Sequence, residues 1–247
     1  MTKPLVVDLF CGLGGWTEGF LAEGYRARGY DIEAHQYGDE RYPGDLVVRD
    51  VRQMHGSEIA DADVIVGSSP CQEYSYMAMP WSRAKAKAEA IRSDRTGEAL
   101  RRLNALFDAQ FRLQRQASEA AGRYIPMVVE NVRGAEQWVG RAAWNFGSYY
   151  LWGDVPALMP KAERATKVAG FRFDGSGKSF QTASTMRMAG ETAAVAEGRK
   201  GAGAGAAWFD QNLCQLSSNS PGRKAASAYI AKIPMVLSSH IARVYHP

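Results

Sequence analysis

One cysteine, Cys71, follows a predicted buried strand and has the position of a nucleophile. Residues 64–66 are apolar and β-branched, which indicates a buried strand. Gly67 to Pro70 then end the strand and turn the backbone. Open α/β sheets bind their ligands just past the carboxyl ends of the strands. Cys71 is therefore a candidate nucleophile, although a small buried residue also fits this position.

A carboxylate, Glu130, follows a second run of this kind. Residues 125–129 are apolar and predict another strand, which delivers Glu130 and Asn131 at its end. If the two strands are neighbours, the thiol and the carboxylate lie at adjacent strand tips. That pairing favours a catalytic role for Glu130 over helix capping or ion pairing.

A glycine-rich loop near the start of the chain has the features of a nucleotide pocket. Residues 5–10 predict a buried strand, Gly12, Gly14 and Gly15 a tight loop, and a helix starts near Trp16. The glycine spacing is not that of a dinucleotide fingerprint, and no phosphate-loop lysine follows. The loop therefore favours an adenosine-bearing ligand without a diphosphate.

Two acidic positions follow at intervals that suit such a ligand. Asp31 lies at the end of the second predicted strand, where a carboxylate commonly binds ribose hydroxyls, and Glu33 is the second choice. Asp50 follows the third predicted strand and is placed to accept a bond from an adenine amine. The alternative for each is a solvated loop acid.

The composition bounds the class of protein. At 247 residues and 46% hydrophobic content, the chain can hold one large domain with a small appendage. Its three cysteines and four histidines form no zinc or disulfide pattern, and no apolar run is long enough to cross a membrane. We expect a cytoplasmic protein with no metal and no membrane partner. The net charge of +4 permits a polyanionic partner.

Positive charge is concentrated after the Cys71 segment. Residues 72–81 are polar and aromatic without periodicity, which predicts a mobile loop over the site. From about Thr96 the sequence becomes helical, with one apolar face that contains Leu100, Leu103, Phe107 and Phe111. The best candidates for phosphate contacts precede that helix: Arg83, Lys85, Lys87, Arg92 and Arg95.

Three segments together resemble the DNA cytosine-5 methyltransferase family. Residues 8–15, 70–72 and 130–132 are similar in sequence, order and spacing to its first, fourth and sixth motifs, and residues 231–242 resemble its C-terminal motif. The resemblance implies an α/β fold, a Rossmann-like class I methyltransferase sheet with helices on both faces. It assigns residues 1–155 and 226–247 to the catalytic domain and residues 156–225 to a small, irregular target-recognition region.

The resemblance also implies an activity: methyl transfer from S-adenosyl-L-methionine to C5 of a cytosine flipped out of double-stranded DNA. Cys71 would add to C6, and Glu130 would hydrogen-bond N3 and the exocyclic amine, with Gln72 and Asn131 beside them. The implied cofactor residues are Asp8, Phe10, Gly12, Gly14, Gly15, Asp31, Asp50 and Pro70. The expected protein is a monomer in the cytoplasm of a bacterial or phage-infected cell.

Departures from the family leave alternatives open. In the C-terminal motif, Ala231 and Lys232 stand where the family usually carries Gly-Asn. The Gln-x-Arg-x-Arg motif is not visible, since residues 146–153 stand in its place, and Arg133 and Arg187 are the candidates for its base-holding arginine. One alternative is a transfer-RNA cytosine-5 methyltransferase, because an RNA branch of the family carries nearly the same motifs. The other is a catalytically inactive module that binds the cofactor and DNA.

Overall fold

The fold is organised around one mostly parallel sheet, seen in a computed structural model that describes residues 2–75, 81–161, 224–225, 228–229 and 231–247. Its seven strands run in the order β5-β2-β1-β6-β7-β9-β8. The first five of these pair in parallel, whereas β9 is antiparallel to both β7 and β8. The strands are β1 (Leu5–Leu9), β2 (Arg26–Asp31), β5 (Asp45–Val48), β6 (Val64–Gly67), β7 (Met127–Asn131), β8 (Trp144–Phe146) and β9 (Tyr149–Gly153), and a separate hairpin pairs β3 (Gln36–Tyr37) with β4 (Glu40–Arg41).

Helices cover both faces of this sheet. The described residues contain α1 (Gly15–Ala22), α2 (Trp81–Ser93), α3 (Glu98–Ala121), α4 (Glu136–Val139) and α5 (Met235–Val244). Alternate residues of β1, β6 and β7 pack into two separate cores, one under α3 and one under α1 and α5. The predicted Rossmann-like class with helices on both faces is confirmed.

The strand order places a switch point between β1 and β6. Among the five parallel strands, β1 is first in the chain and β6 is fourth, so the chain turns outward in opposite directions from these two neighbours. Ligands of doubly wound sheets bind in the crevice at such a point, past the carboxyl ends of the strands. The glycine-rich loop follows β1 at this edge, and the Cys71 turn follows β6.

The helix α3 follows the predicted apolar periodicity. Phe107, Leu113 and Ala117 are buried against the sheet, and Leu103 and Phe111 are partly buried beside them. The helix α2, by contrast, occupies the segment from which we expected phosphate contacts, and its regular structure was not predicted. Its mean hydropathy is low because alanines alternate with lysines and arginines, so it lacks a wide apolar stripe.

The helices α1 and α5 pack closely because two glycines face the contact. A Cβ atom added at Gly15 would lie 2.3 Å from the backbone nitrogen of Ile233. At Gly19 it would lie 2.5 Å from the backbone nitrogen of Ser239. The hydroxyl of Tyr25 adds a buried bond of 3.0 Å to the carbonyl oxygen of Ala242. The C-terminal helix is therefore fixed against the helix that follows the glycine-rich loop.

The remaining parts of the chain are described only in part. The predicted target-recognition region, residues 156–225, lies almost entirely outside the described residues, and so does the 76–80 part of the predicted loop. No helix among the described residues is long and apolar enough to cross a membrane.

Candidate active site

The turn that carries Cys71 is anchored on both sides. The backbone nitrogen of Ser68 donates to the carbonyl oxygen of Leu9 at 3.2 Å, which ties the turn to β1. On the other side, the Asn131 amide donates to the carbonyl oxygen of Ser69 at 3.0 Å and to its hydroxyl at 3.1 Å. Cys71 itself is half-buried, while the neighbouring Pro70 and Gln72 are exposed.

Glu130 lies on the adjacent strand with its side chain buried. Gly67 at the end of β6 is in register with Val129 of β7, so Glu130 extends one residue beyond the paired part of these strands. Only 3% of Glu130 is exposed. Burial and the charge of Glu130 raise the pKa of Tyr149, whose hydroxyl donates to the carbonyl oxygen of Lys232. The structure thus brings Cys71, Glu130 and Asn131 to neighbouring strand ends.

The glycine-rich loop has the backbone geometry of a close-fitting cradle. Phe10 has a φ of 58°, and it is the one non-glycine residue with positive φ among those described. Such a conformation costs roughly 1–3 kcal/mol and is concentrated at functional sites. Gly14 has a φ of 78°, and a Cβ there would lie 2.5 Å from the ring of Pro43. Larger side chains at Gly14 or Gly15 would therefore displace the surrounding chain.

Two of the predicted cofactor acids differ in their surroundings. The buried carboxylate of Asp31 accepts the backbone N–H of Gly12 at 2.9 Å and that of Ile32 at 2.8 Å, so it also holds the glycine-rich loop. Asp50 instead caps a 3-10 turn and forms an ion pair with Arg52 at 2.7 Å, and hydrogen bonds from Arg52 lower its pKa. Asp31 is thus the better buried of these two carboxylates.

A buried polar chain under the loop was not predicted beyond Asp8. The Thr17 hydroxyl donates to Asp8 Oδ2 at 2.8 Å and lies 2.8 Å from the hydroxyl of Tyr42. Burial, opposed in part by this bond, raises the pKa of Asp8 well above its ordinary value. Asp8 Oδ1 is buried without a hydrogen-bond partner among the described residues. A polar threonine on the apolar face of α1 was the available signal for this chain.

The expected phosphate contacts lie on or beside α2. Lys87 pairs with the carboxylate of Glu73 and also donates to its carbonyl oxygen at 3.1 Å, two residues after Cys71. Arg92 lies 5.6 Å from the ring centroid of Trp138. Lys85 and Arg95 are exposed. Lys87 therefore joins α2 to the segment that carries the candidate nucleophile.

Of the two arginines considered for holding the base, Arg133 is exposed and begins a 3-10 turn two residues after the end of β7. Arg187 lies outside the described residues.

In the C-terminal motif, Lys232 forms ion pairs with Glu18 at 2.6 Å and Glu40 at 3.3 Å. This lysine, at a position where the family usually carries asparagine, therefore links the motif to α1 and to the β3–β4 hairpin. No cluster of metal-ligating residues occurs within the part of the chain that is described.

The mostly parallel sheet, its helices and the two loops at its switch point fit a Rossmann-like methyltransferase fold. Residues 5–89 match the sequence model of the C-5 cytosine-specific DNA methylase family. The type II methyltransferase M.FnuDI of Fusobacterium nucleatum is 30% identical over 73 residues, which are 28% of this chain and 21% of that protein. M.XorII of Xanthomonas oryzae pv. oryzae is 30% identical over 87 residues, 30% of this chain and 20% of that protein.

The resemblance to the C-5 cytosine-specific DNA methylase family is therefore confirmed over residues 5–89. The matches span only about a fifth of either relative. Among solved structures, a DNMT2 variant of Spodoptera frugiperda has a TM-score of 0.41 and 12% identity, over 99% of this chain and 100% of that one. This likeness is distant, and the fold assignment depends on the strand order instead.

Proposed function

We propose that the protein is a DNA (cytosine-5)-methyltransferase that uses S-adenosyl-L-methionine and forms a covalent bond from Cys71 to C6 of a flipped-out cytosine. The observation that carries the proposal is the bond from Asn131 to Ser69, because it joins the strand bearing Glu130 to the turn bearing Cys71. A thiol and a carboxylate at adjacent strand tips are the two groups that this chemistry requires.

The residues around the glycine-rich loop fit the cofactor. A Cβ at Gly12 would meet nothing within 4 Å, so a ligand can approach the backbone there, while Gly14 and Gly15 keep the loop packed against the protein. Asp31 offers a buried carboxylate to the ribose, and Asp8 has an unpartnered oxygen beneath the loop among the described residues. Phe10, Gly12, Asp50 and Pro70 complete the proposed set. The bound cofactor would supply an electrophilic methyl group. A positively charged ligand is also favoured beside buried carboxylates.

The chemistry assigned to the chain's own residues begins at Cys71. C5 of cytosine is a poor nucleophile, and addition of the Cys71 thiolate at C6 makes the ring an enamine whose C5 can attack a methyl group. Glu130 would hydrogen-bond N3 and the exocyclic amine, which makes C6 more electrophilic. After transfer, a base removes the C5 proton, the C6–sulfur bond breaks, and Cys71 leaves as a thiolate. The target must be out of the stack, because a half-buried thiol cannot reach C6 of a base stacked inside a duplex.

Trapping on 5-fluorocytosine tests the covalent route. Fluorine at C5 cannot leave as a proton, so a duplex with this base at the target should stall as a stable protein–DNA adduct that requires the cofactor. We expect Glu130→Ala to slow adduct formation strongly, and Glu130→Gln less, because an amide still hydrogen-bonds the ring. Denaturing electrophoresis measures the adduct. The matched control, Glu136→Gln, alters an acid of α4 and should trap normally.

The substrate is tested by the same approach. Sequencing of bisulfite-treated host DNA after expression should reveal methylated cytosines in a fixed context. Formation of an adduct on fluorinated transfer RNA, but on no DNA, would identify RNA as the substrate instead of DNA. Binding of cofactor and DNA without adduct or methylation would identify an inactive module.

A further inference from the structure

A hydrogen bond crosses the switch point between the two candidate loops. The indole nitrogen of Trp16 donates to the Ser68 hydroxyl at 3.0 Å. Trp16 is the second residue of α1 and directly follows the glycine-rich loop, whereas Ser68 is the first residue after β6. The bond therefore links the segment proposed to hold the cofactor with the turn that presents Cys71, three residues further on.

Both partners are held by rigid surroundings. Only 2% of Trp16 is exposed, and it lies in the core formed with α5, where Ile233 is also buried. Gly15 packs directly against the backbone of Ile233, so the first turn of α1 cannot shift without moving the C-terminal segment. On the other side, Ser68 is fixed by its own backbone bond to Leu9. A shift of either loop would therefore be transmitted through the indole.

We propose that Trp16 and Ser68 form a positioning pair that fixes Cys71 relative to the glycine-rich loop. The inference builds on the proposed function, since it explains how a nucleophile and a methyl donor held by different loops keep their spacing. Neither residue touches the reacting atoms in this proposal. Because a displacement of about 1 Å in a reacting group can cost up to about 100-fold in rate, a single positioning bond is sufficient to matter.

The test compares variants that remove each partner of the bond. Ser68→Ala removes the acceptor and leaves the core intact, and Trp16→Phe removes the donor. We expect each to lower the single-turnover methyl-transfer rate about tenfold, with unchanged affinity for S-adenosyl-L-methionine. The double variant should be no slower than the slower single variant, because the same bond is lost only once.

Tyr25→Phe is the matched control, since it removes a buried hydrogen bond from Tyr25, which directly precedes β2, to Ala242 of α5. We expect it to lower the thermal midpoint and leave the single-turnover rate unchanged. Wild-type rates in Ser68→Ala, or rate losses that multiply in the double variant, would overturn the positioning role. An equal rate loss in Tyr25→Phe would show that the Trp16 and Ser68 variants lose rate through lower stability, and would also overturn the positioning role.

A second measurement separates this inference from the proposed activity. Alkylation of Cys71 by iodoacetamide, measured by peptide mass spectrometry without cofactor or DNA, reports the presentation of the thiol alone. Ser68→Ala and Trp16→Phe should alkylate several-fold faster than wild type, and Tyr25→Phe at the wild-type rate. If the variants show these alkylation rates but the wild-type protein does not methylate DNA, the proposed function is rejected and the positioning pair is retained. Equal alkylation of all four proteins would reject the pair even if wild type methylates DNA.

Discussion

The side-chain nitrogen of Asn131 donates two hydrogen bonds to Ser69, at 3.0 Å to the carbonyl oxygen and 3.1 Å to the hydroxyl. Both residues are buried, so these bonds are shielded from water. They join the last residue of β7 to the turn after β6. The spacing of the two candidate catalytic groups is therefore set by a direct contact as well as by the strand register.

We expect Asn131→Ala to destabilise the fold by about 1–3 kcal/mol, because it leaves a buried acceptor unpaired. Asn131→Asp should do the same, since an ionised carboxylate cannot donate to the Ser69 carbonyl oxygen. Urea denaturation measures both. The control is Asn145→Ala, which removes an exposed amide bonded to Gly147 at 3.1 Å and should change stability little. Equal stability in all three variants would contradict the anchoring role.

The cysteines should differ in reactivity. Cys11 is buried, and burial together with the charges of Asp8 and Asp31 raises the pKa of its thiol. Because the thiolate is the reactive form, Cys11 should resist alkylation by iodoacetamide in the native protein even in mildly alkaline buffer. Cys71 should be labelled, and denaturant should make both react. Native labelling of Cys11 at the rate of Cys71 would contradict this. For methyl transfer, Cys71→Ser should abolish activity, whereas Cys11→Ala should retain it.

The two proposed cofactor acids should contribute unequally. Asp31→Ala should weaken S-adenosyl-L-methionine binding by about 1–3 kcal/mol, since it removes a buried carboxylate. Asp50→Ala should also weaken binding but less, because Arg52 already engages that side chain. Calorimetry on both variants measures the difference. Asp61→Ala, which removes an exposed partner of Arg28 before β6, serves as the control. Unchanged affinity in both test variants would make Glu33 the next candidate.

The free energy of unfolding should depend on pH through the titration of Asp8. Because burial raises the folded-state pKa of Asp8, the folded state holds this proton more tightly than the unfolded state does. The contribution of Asp8 to the free energy of unfolding is therefore largest below its unfolded pKa of about 4 and decreases as the pH rises towards the folded value. Asp8→Asn should remove this decrease. Asp50→Asn should remove a pH dependence of the opposite sign from the free energy of unfolding, since the pKa of Asp50 is lowered in the folded state. Urea unfolding across this pH range provides the comparison.

Replacement of Gly67 should be destabilising, because α3 packs closely against this position. A Cβ there would lie 2.2 Å from Oε1 of Gln110, whose amide is fully buried without a hydrogen-bond partner among the described residues. We expect Gly67→Ala to cost about 1–3 kcal/mol through overpacking. Gln110→Ala in the same protein should restore part of that loss, because it opens the space. A double variant less stable than Gly67→Ala alone would contradict this explanation.

Much of the sheet could be predicted from sequence because its strands are continuous apolar runs. Residues 64–66 and 125–129 have this pattern, and each is followed by a residue with an evident chemical role. The parallel strands are covered on both faces, which requires apolar side chains on both and makes such runs conspicuous.

The contacts between loops could not be predicted in the same way. The bonds from Trp16 to Ser68 and from Asn131 to Ser69 join residues 52 and 62 positions apart. Their formation depends on which strands become neighbours, and hydrophobic periodicity carries no information on this. The helix α2 was missed for a different reason, since its alanine and lysine content supports a helix by intrinsic propensity without an apolar stripe.

The reversed direction of β9 determines where the rest of the chain must travel. Gly153 ends β9 beside Val128, near the start of β7, on the edge of the sheet opposite to Cys71. Ile233 lies beside Gly15 at the Cys71 edge, and α5 then returns to place Ala242 near Tyr25. The carbonyl oxygen of Leu158 lies 2.8 Å from Nε2 of His240, so the chain shortly before residue 162 has already returned to α5. Because the chain on both sides of residues 162–223 is held at this helix, we expect a chimera that exchanges these residues with those of a relative to keep the fold of the sheet.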